Sequence, residues 1–109
     1  MTGHDRKTAE ELKTKLLAQR QDKIRRLILY GSRARGTASP DSDFDLLVIE
    51  ADPVSKWDEM RHLRQAMHDL PYPIDVWVMG ETEFEETKNV IGGLAYPAHK
   101  YGVILYENA

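Results

Sequence analysis

The 109-residue chain has no cysteine. That absence excludes a disulfide framework, thiolate zinc sites and a cysteine nucleophile. It also suits a reducing compartment. No run of about 18 apolar residues occurs, and Met1–Lys7 is polar and charged, unlike the start of a signal peptide. A cytoplasmic protein with no membrane association is expected. A basic surplus is missing as well. The 15 Lys and Arg against 18 Asp and Glu leave a net charge of -3. Domains that grip a nucleic-acid backbone carry positive excess, so no nucleic-acid template is expected. Neither Gly-Lys-Ser/Thr nor G-x-G-x-x-G is present, which closes the Walker and Rossmann routes to a nucleotide. His62 and His68 stand six apart and share no helical face at metal-binding spacing.

What is present suits one globular domain over residues 1–109. Apolar residues make up 41% and charged residues 30%, which excludes a disordered chain and allows a modest core. Thr8-Ala9-Glu10-Glu11 has capping-box spacing, and Ala9, Leu12 and Leu16 recur at helical spacing, predicting a helix over about 9–23. A strand is expected over 26–30. A second strand is expected over 43–49, and a helix over 56–70 with Met60, Leu63, Met67 and Leu70 as its apolar stripe. A third strand follows at 74–79. Thr82 then caps a helix running to about Asn89, Pro97 opens a short helical turn that ends at Gly102, and a last strand covers 103–106.

The informative stretch runs from Gly31 to Val48. Gly31-Ser32 ends the first strand and allows a tight turn whose backbone N–H groups can face a ligand. Ala34-Arg35-Gly36 is expected as one helical turn, its amides aimed at the same spot. With ten residues intervening after Ser32, Asp43 and Asp45 begin the second strand. Alternation puts them on one face with Leu47 and Ile49, and puts Phe44, Leu46 and Val48 on the other. Two carboxylates side by side repel unless a cation lies between them, and aspartate is disfavoured in strands. Asp75 stands in the third strand on the same side as Trp77 and Met79, and becomes a third ligand if that strand neighbours the second.

Three hard carboxylates without thiols or a histidine pair favour two Mg²⁺ ions, or Mn²⁺, over Zn²⁺. Mg²⁺ typically shares its carboxylates with phosphate oxygens, and the Gly31-Ser32 turn supplies the phosphate side. The expected reaction is two-metal displacement at phosphorus. One ion, on Asp43, Asp45 and Asp75, would acidify an acceptor hydroxyl. The other, on Asp43 and Asp45, would hold the triphosphate. Arg33 or Arg35 would neutralise phosphate charge. Asp75 could also take the acceptor's proton. Trp77, Met79 and Tyr30 could stack a base or meet a partner, or could be ordinary packing.

Gly31-Ser32, ten residues, Asp43-x-Asp45, then Asp75 resembles the signature of the DNA polymerase beta-like nucleotidyltransferase superfamily. Gly-Ser-Arg-Ala-Arg-Gly, Ser-Asp-Phe-Asp-Leu-Leu-Val and the closing Gly102-Val103-Ile104-Leu105-Tyr106-Glu107 resemble its minimal nucleotidyltransferase branch. The resemblance implies an α/β (α+β) fold, with a mixed central sheet of about four strands and helices mainly on one face. It implies catalytic, metal-binding Asp43, Asp45 and Asp75, and triphosphate contact at Ser32.

Polymerases and antibiotic-modifying members of this superfamily carry further domains that hold the acceptor. Minimal members resemble antitoxins paired with a HEPN ribonuclease toxin. The resemblance therefore implies a hetero-oligomer and a protein adenylyltransferase (EC 2.7.7 type) that moves AMP from ATP to a toxin tyrosine. A binding antitoxin acting by occlusion and a small-molecule, aminoglycoside-like nucleotidyltransferase are the alternatives.

Overall fold

The structure, a computed structural model, describes residues 1–108. Helix α1 spans Gly3–Arg20. Its N-cap is Thr2, whose hydroxyl accepts from the Asp5 amide at 3.1 Å, and not Thr8, which lies buried further along the helix. The cap expected at Thr8 is thus overruled by an earlier one. Asp5, Thr8, Ala9, Leu12 and Leu16 all fall on the buried face, so one amphipathic helix continues through Thr8.

Strand β1 spans Ile24–Tyr30, helix α2 Gly31–Arg35, and strand β2 Phe44–Glu50. Helix α3 covers Lys56–Ala66, ending four residues before the expected Leu70. Strand β3 follows at Ile74–Gly80. Helix α4 covers Glu81–Thr87 and helix α5 Ala95–Tyr101; strand β4, at Val103–Glu107, closes the chain. Gly80 occupies the N-cap position of α4. Thr82 sits in the first turn, where its amide and hydroxyl both donate to Asp52 Oδ2, at 2.9 and 2.7 Å. A distant carboxylate therefore does the work a local capping box was expected to do. Pro97 is the third residue of α5, still within the first turn, where its missing N–H costs little.

The sheet order is β3-β2-β1-β4. The β1–β2 and β1–β4 pairs are antiparallel, whereas β2–β3 is parallel with α3 as the crossover. Strand alternation sorts the core into two layers. Phe44, Leu46, Val48, Val76 and Val78 pack on one face against α1 and α3. Leu47, Ile49, Ile28 and Met79 pack on the other against Phe84 of α4 and Ala95 and Ala98 of α5. The two long helices thus share one face, and the short ones cover only part of the other. That leaves the beginning of β2 and β3 accessible beside the β1–α2 turn. Among the described residues, no helix is long and apolar enough to cross a membrane.

Candidate active site

Tyr30, Asp45 and Asp75 form one row across three adjacent strands. Tyr30 is the register partner of Asp45 on β1, and Asp45 is the partner of Asp75 on β3. The parallel pairing of β2 and β3 is what makes Asp75 a neighbour of Asp45. Asp43 lies just before β2 and is exposed.

The β1–α2 turn closes over this row. Gly31 has φ +76°, a left-handed conformation that favours glycine. A Cβ at Gly31 would overlap the Asp45 carboxylate, so the turn can lie against that carboxylate only without a side chain. Ser32 follows in α2. Gly36, at φ +77°, ends α2, and its amide donates to the Ser32 carbonyl. The first-turn amides of α2 have no partners within the helix, and they belong to the same Gly-Ser turn.

Charge is crowded here. Burial first, then the charges of Asp75 and Asp43, push the Asp45 carboxyl above its usual range. Burial also raises the Tyr30 phenol, helped by Asp45 and Asp75 and opposed by Arg64, so Tyr30 stays protonated. Asp75 has a holder on each oxygen. Trp77 Nε1 donates to Oδ2 at 2.9 Å, and an Arg64 terminal nitrogen lies 3.4 Å from Oδ1.

The residues fit a divalent cation in donor type and in charge. They are hard oxygen donors, and the repulsion at Asp45 would be relieved by a cation. The side chains are not gathered around one point, however: among the described residues, no three His, Cys, Asp or Glu side chains converge at metal-binding distance. Asp45 and Asp75 are brought together, while Asp43 stands at the rim.

The arginines take different places. Arg33, expected beside the phosphates, is 9% exposed and engaged inside the protein. It pairs with Asp5 of α1 at 2.9 Å, donates to the carbonyls of Pro40 and Ser42, and stacks on Phe44 with 4.5 Å to the ring centre. Arg33 thereby pins α1 to the loop that delivers Asp43, a positioning role behind the site. Its planar fork suits this set of partners where lysine would not. Arg35 is exposed at the end of α2. Two participants carried no sequence signal. Asp5 is an ordinary first-turn acid until the fold buries it, and Arg64 is one of several basic residues on α3.

The chain thus sets a short glycine turn after β1, Asp43 just before β2, Asp45 within β2 and Asp75 on the parallel strand beyond at one end of the sheet. A family model for a nucleotidyltransferase domain matches residues 6–96. The chain belongs to that family. Its fold is similar to that of a toxin–antitoxin crystal structure with AMP-PNP, at TM-score 0.58 and 24% identity over 91% of this chain and 73% of the other. A mutant of the toxin–antitoxin MntA-HpeT matches with TM-score 0.59 and 22% identity, again over 91% and 73%. A putative nucleotidyltransferase from Sulfolobus solfataricus has TM-score 0.63 at 19% identity, over 94% and 79%. At these identities the likeness is one of fold. No curated protein sequence matches the chain.

Proposed function

We propose that this domain transfers AMP from ATP to a tyrosine hydroxyl of a HEPN-type ribonuclease toxin in the cytoplasm and silences the toxin by that modification. The observation that carries the reading is the row Tyr30–Asp45–Asp75, closed by a glycine turn with no room for a side chain. The toxin–antitoxin neighbours support a protein acceptor, and the AMP-PNP in one of them supports ATP as donor.

The Gly31 and Ser32 amides and the Ser32 hydroxyl would hold the triphosphate, with exposed Arg35 available to its outer oxygens. Asp43, Asp45 and Asp75 would hold two Mg²⁺ ions, which supply charge neutralisation on the triphosphate and acidify the attacking hydroxyl. Asp75, at the open edge strand, is the carboxylate best set to receive the acceptor's proton. The tyrosine oxygen bonds to the α-phosphorus as its bond to the bridging oxygen breaks, and pyrophosphate leaves. Arg33 acts from behind, by keeping the Asp43 loop in place.

A binding antitoxin is the second reading. It is favoured by apolar side chains left at the surface: Ile91 is 80% exposed and Ile104 is 55% exposed. One experiment separates the two. With labelled ATP, Mg²⁺ and the partner toxin, label appears on a toxin tyrosine and disappears with Asp43→Asn. Absence of label, or label unchanged in that variant, defeats the transfer reading. Toxin neutralisation that survives Asp43→Asn without label establishes occlusion.

A further inference from the structure

Arg64 reaches from α3 to β3, an edge strand of the sheet. Its Nε donates to the Val76 carbonyl at 2.9 Å, and its guanidinium carbon lies 5.3 Å from the Trp77 ring centre. Its terminal nitrogen is 3.4 Å from Asp75 Oδ1, while Trp77 Nε1 holds Oδ2 at 2.9 Å. Each Asp75 oxygen therefore has its own holder. One is neutral, short and on the same strand. The other is cationic, long and from a helix. Among the described residues, Arg64 is the cation paired with a site aspartate.

The two contacts of Arg64 are unequal. The Nε bond to a backbone carbonyl and the stacking on Trp77 fix the side chain whatever Asp75 does. The contact with Asp75 is near the limit for a hydrogen bond. Both partners are about half exposed, at 44% and 42%, so water can replace it cheaply. Arg64 is thus anchored independently of the carboxylate it neutralises.

We propose that Arg64 is a positioning residue, the resident counter-cation of Asp75. It holds that carboxylate apart from Asp45 in the free protein and yields its contact when a divalent cation arrives, while Trp77 keeps the second oxygen. This rests on the reading of Asp43, Asp45 and Asp75 as metal ligands. In this role Arg64 competes with the metal for Asp75, and its removal tightens metal binding. An arginine that merely supported the fold would change thermal stability and leave metal affinity alone.

The test is Mn²⁺ titration of the full chain carrying Trp57→Phe. Trp57 is exposed, and its removal leaves Trp77 as the only tryptophan. Saturable quenching of Trp77 fluorescence, checked by electron paramagnetic resonance of free Mn²⁺, reads the affinity. Removing one positive charge beside the ion should tighten binding about fivefold in Arg64→Gln, and Arg64→Lys should stay within about twofold of the parent. Asp45→Asn should weaken binding more than about tenfold. If Arg64→Gln does not fold, Arg64→Met gives the same comparison with the stem on Trp77 retained. Unchanged or weaker affinity in these neutral variants overturns the role of Arg64, and a strong loss in Asp45→Asn then leaves the metal site standing. No saturable quenching in the parent overturns both.

Discussion

Strand β2 brings two carboxylates together at each of its ends. At its start, Asp45 is in register with Asp75; at its end, Glu50 meets Glu59 of α3. The two ends relieve the same repulsion differently. Glu50 is 1% exposed and its Oε2 has no hydrogen-bond partner. Burial, with the hydrogen bond and charge of Glu59, pushes its carboxyl up to about 8. Burial also works against charge on Glu59, but hydrogen bonds from Glu50 and from Arg20, at 3.0 Å, hold its carboxyl below the usual range. One end of the strand is thus settled internally, by a retained proton and an arginine. At the other end Asp45 is only half-buried, and its neighbour Asp75 has only a long contact to an arginine anchored elsewhere. Crowding that the fold seals off stabilises a particular protonation state. Crowding that the fold leaves open invites a ligand.

The comparison breaks most visibly at Asp45. Asp45→Asn should lower AMP transfer by about a thousandfold or more, since the proposed reaction assigns this carboxylate to charge neutralisation at the triphosphate. Its melting temperature should equal or exceed that of the wild type, because a repelling charge is removed from a site that gains nothing from it in the free protein. Single-turnover kinetics and thermal melts check the two halves. A large fall in melting temperature would make the open end as structural as the sealed one.

Next in size is Gly31→Ala. A left-handed φ and overlap with Asp45 both oppose a methyl group, so stability should fall by about 1–3 kcal/mol, a few to several degrees in melting temperature. Transfer should drop by about a hundredfold as the turn moves away from the carboxylate. A variant that melts like the wild type would show that the turn does not depend on the close approach.

The smallest effect is expected at the sealed end. Folding raises the Glu50 carboxyl, so the native state takes up a proton there. The stability this contributes is full below a pH of about 4.5, the ordinary glutamate value, and is lost as pH rises toward about 8. Glu59 acts in the opposite sense, with stability lost as pH falls through its lowered range. Glu50→Gln keeps a neutral group at every pH. Its melting temperature at pH 8.5 should exceed that of the wild type by about 3–5 °C, with the gap closing near pH 5. Parallel melting curves across that range would mean that no proton is held between Glu50 and Glu59.

Much of the open end was legible in the chain. Gly31-Ser32 and Asp43-x-Asp45 lie within one stretch, and strand periodicity alone put Asp45 on the face of Leu47 and Ile49, where the structure has it. The sealed end carried no comparable signal. Glu50 closes an apolar run and Glu59 lies in a charged helix, and neither looks unusual until α3 packs across the sheet. Helix starts were less legible than strands. Thr8 and Thr82 each begin a plausible capping box, yet Thr2 caps α1 and Asp52, thirty residues upstream, bonds the first turn of α4. A carboxylate that is distant in sequence can satisfy an orphan amide as well as a local one.

The local features were determined by the sequence itself. These are the glycine a left-handed turn requires, the alternation that sorts each strand's side chains, and the acidic residues at strand beginnings where apolar ones were expected. Each depends on the backbone within a few residues. Tertiary structure decided what depends on register and on burial. Parallel pairing of β3 with β2, in a register that sets Asp75 beside Asp45, made two separate acids into a pair. Packing of α1 turned Arg33 inward to Asp5 and away from the phosphates it was expected to meet. The crossover helix brought Arg64 to Asp75 and Glu59 to Glu50. A charge acts through distance and dielectric, and the order of residues along the chain specifies neither.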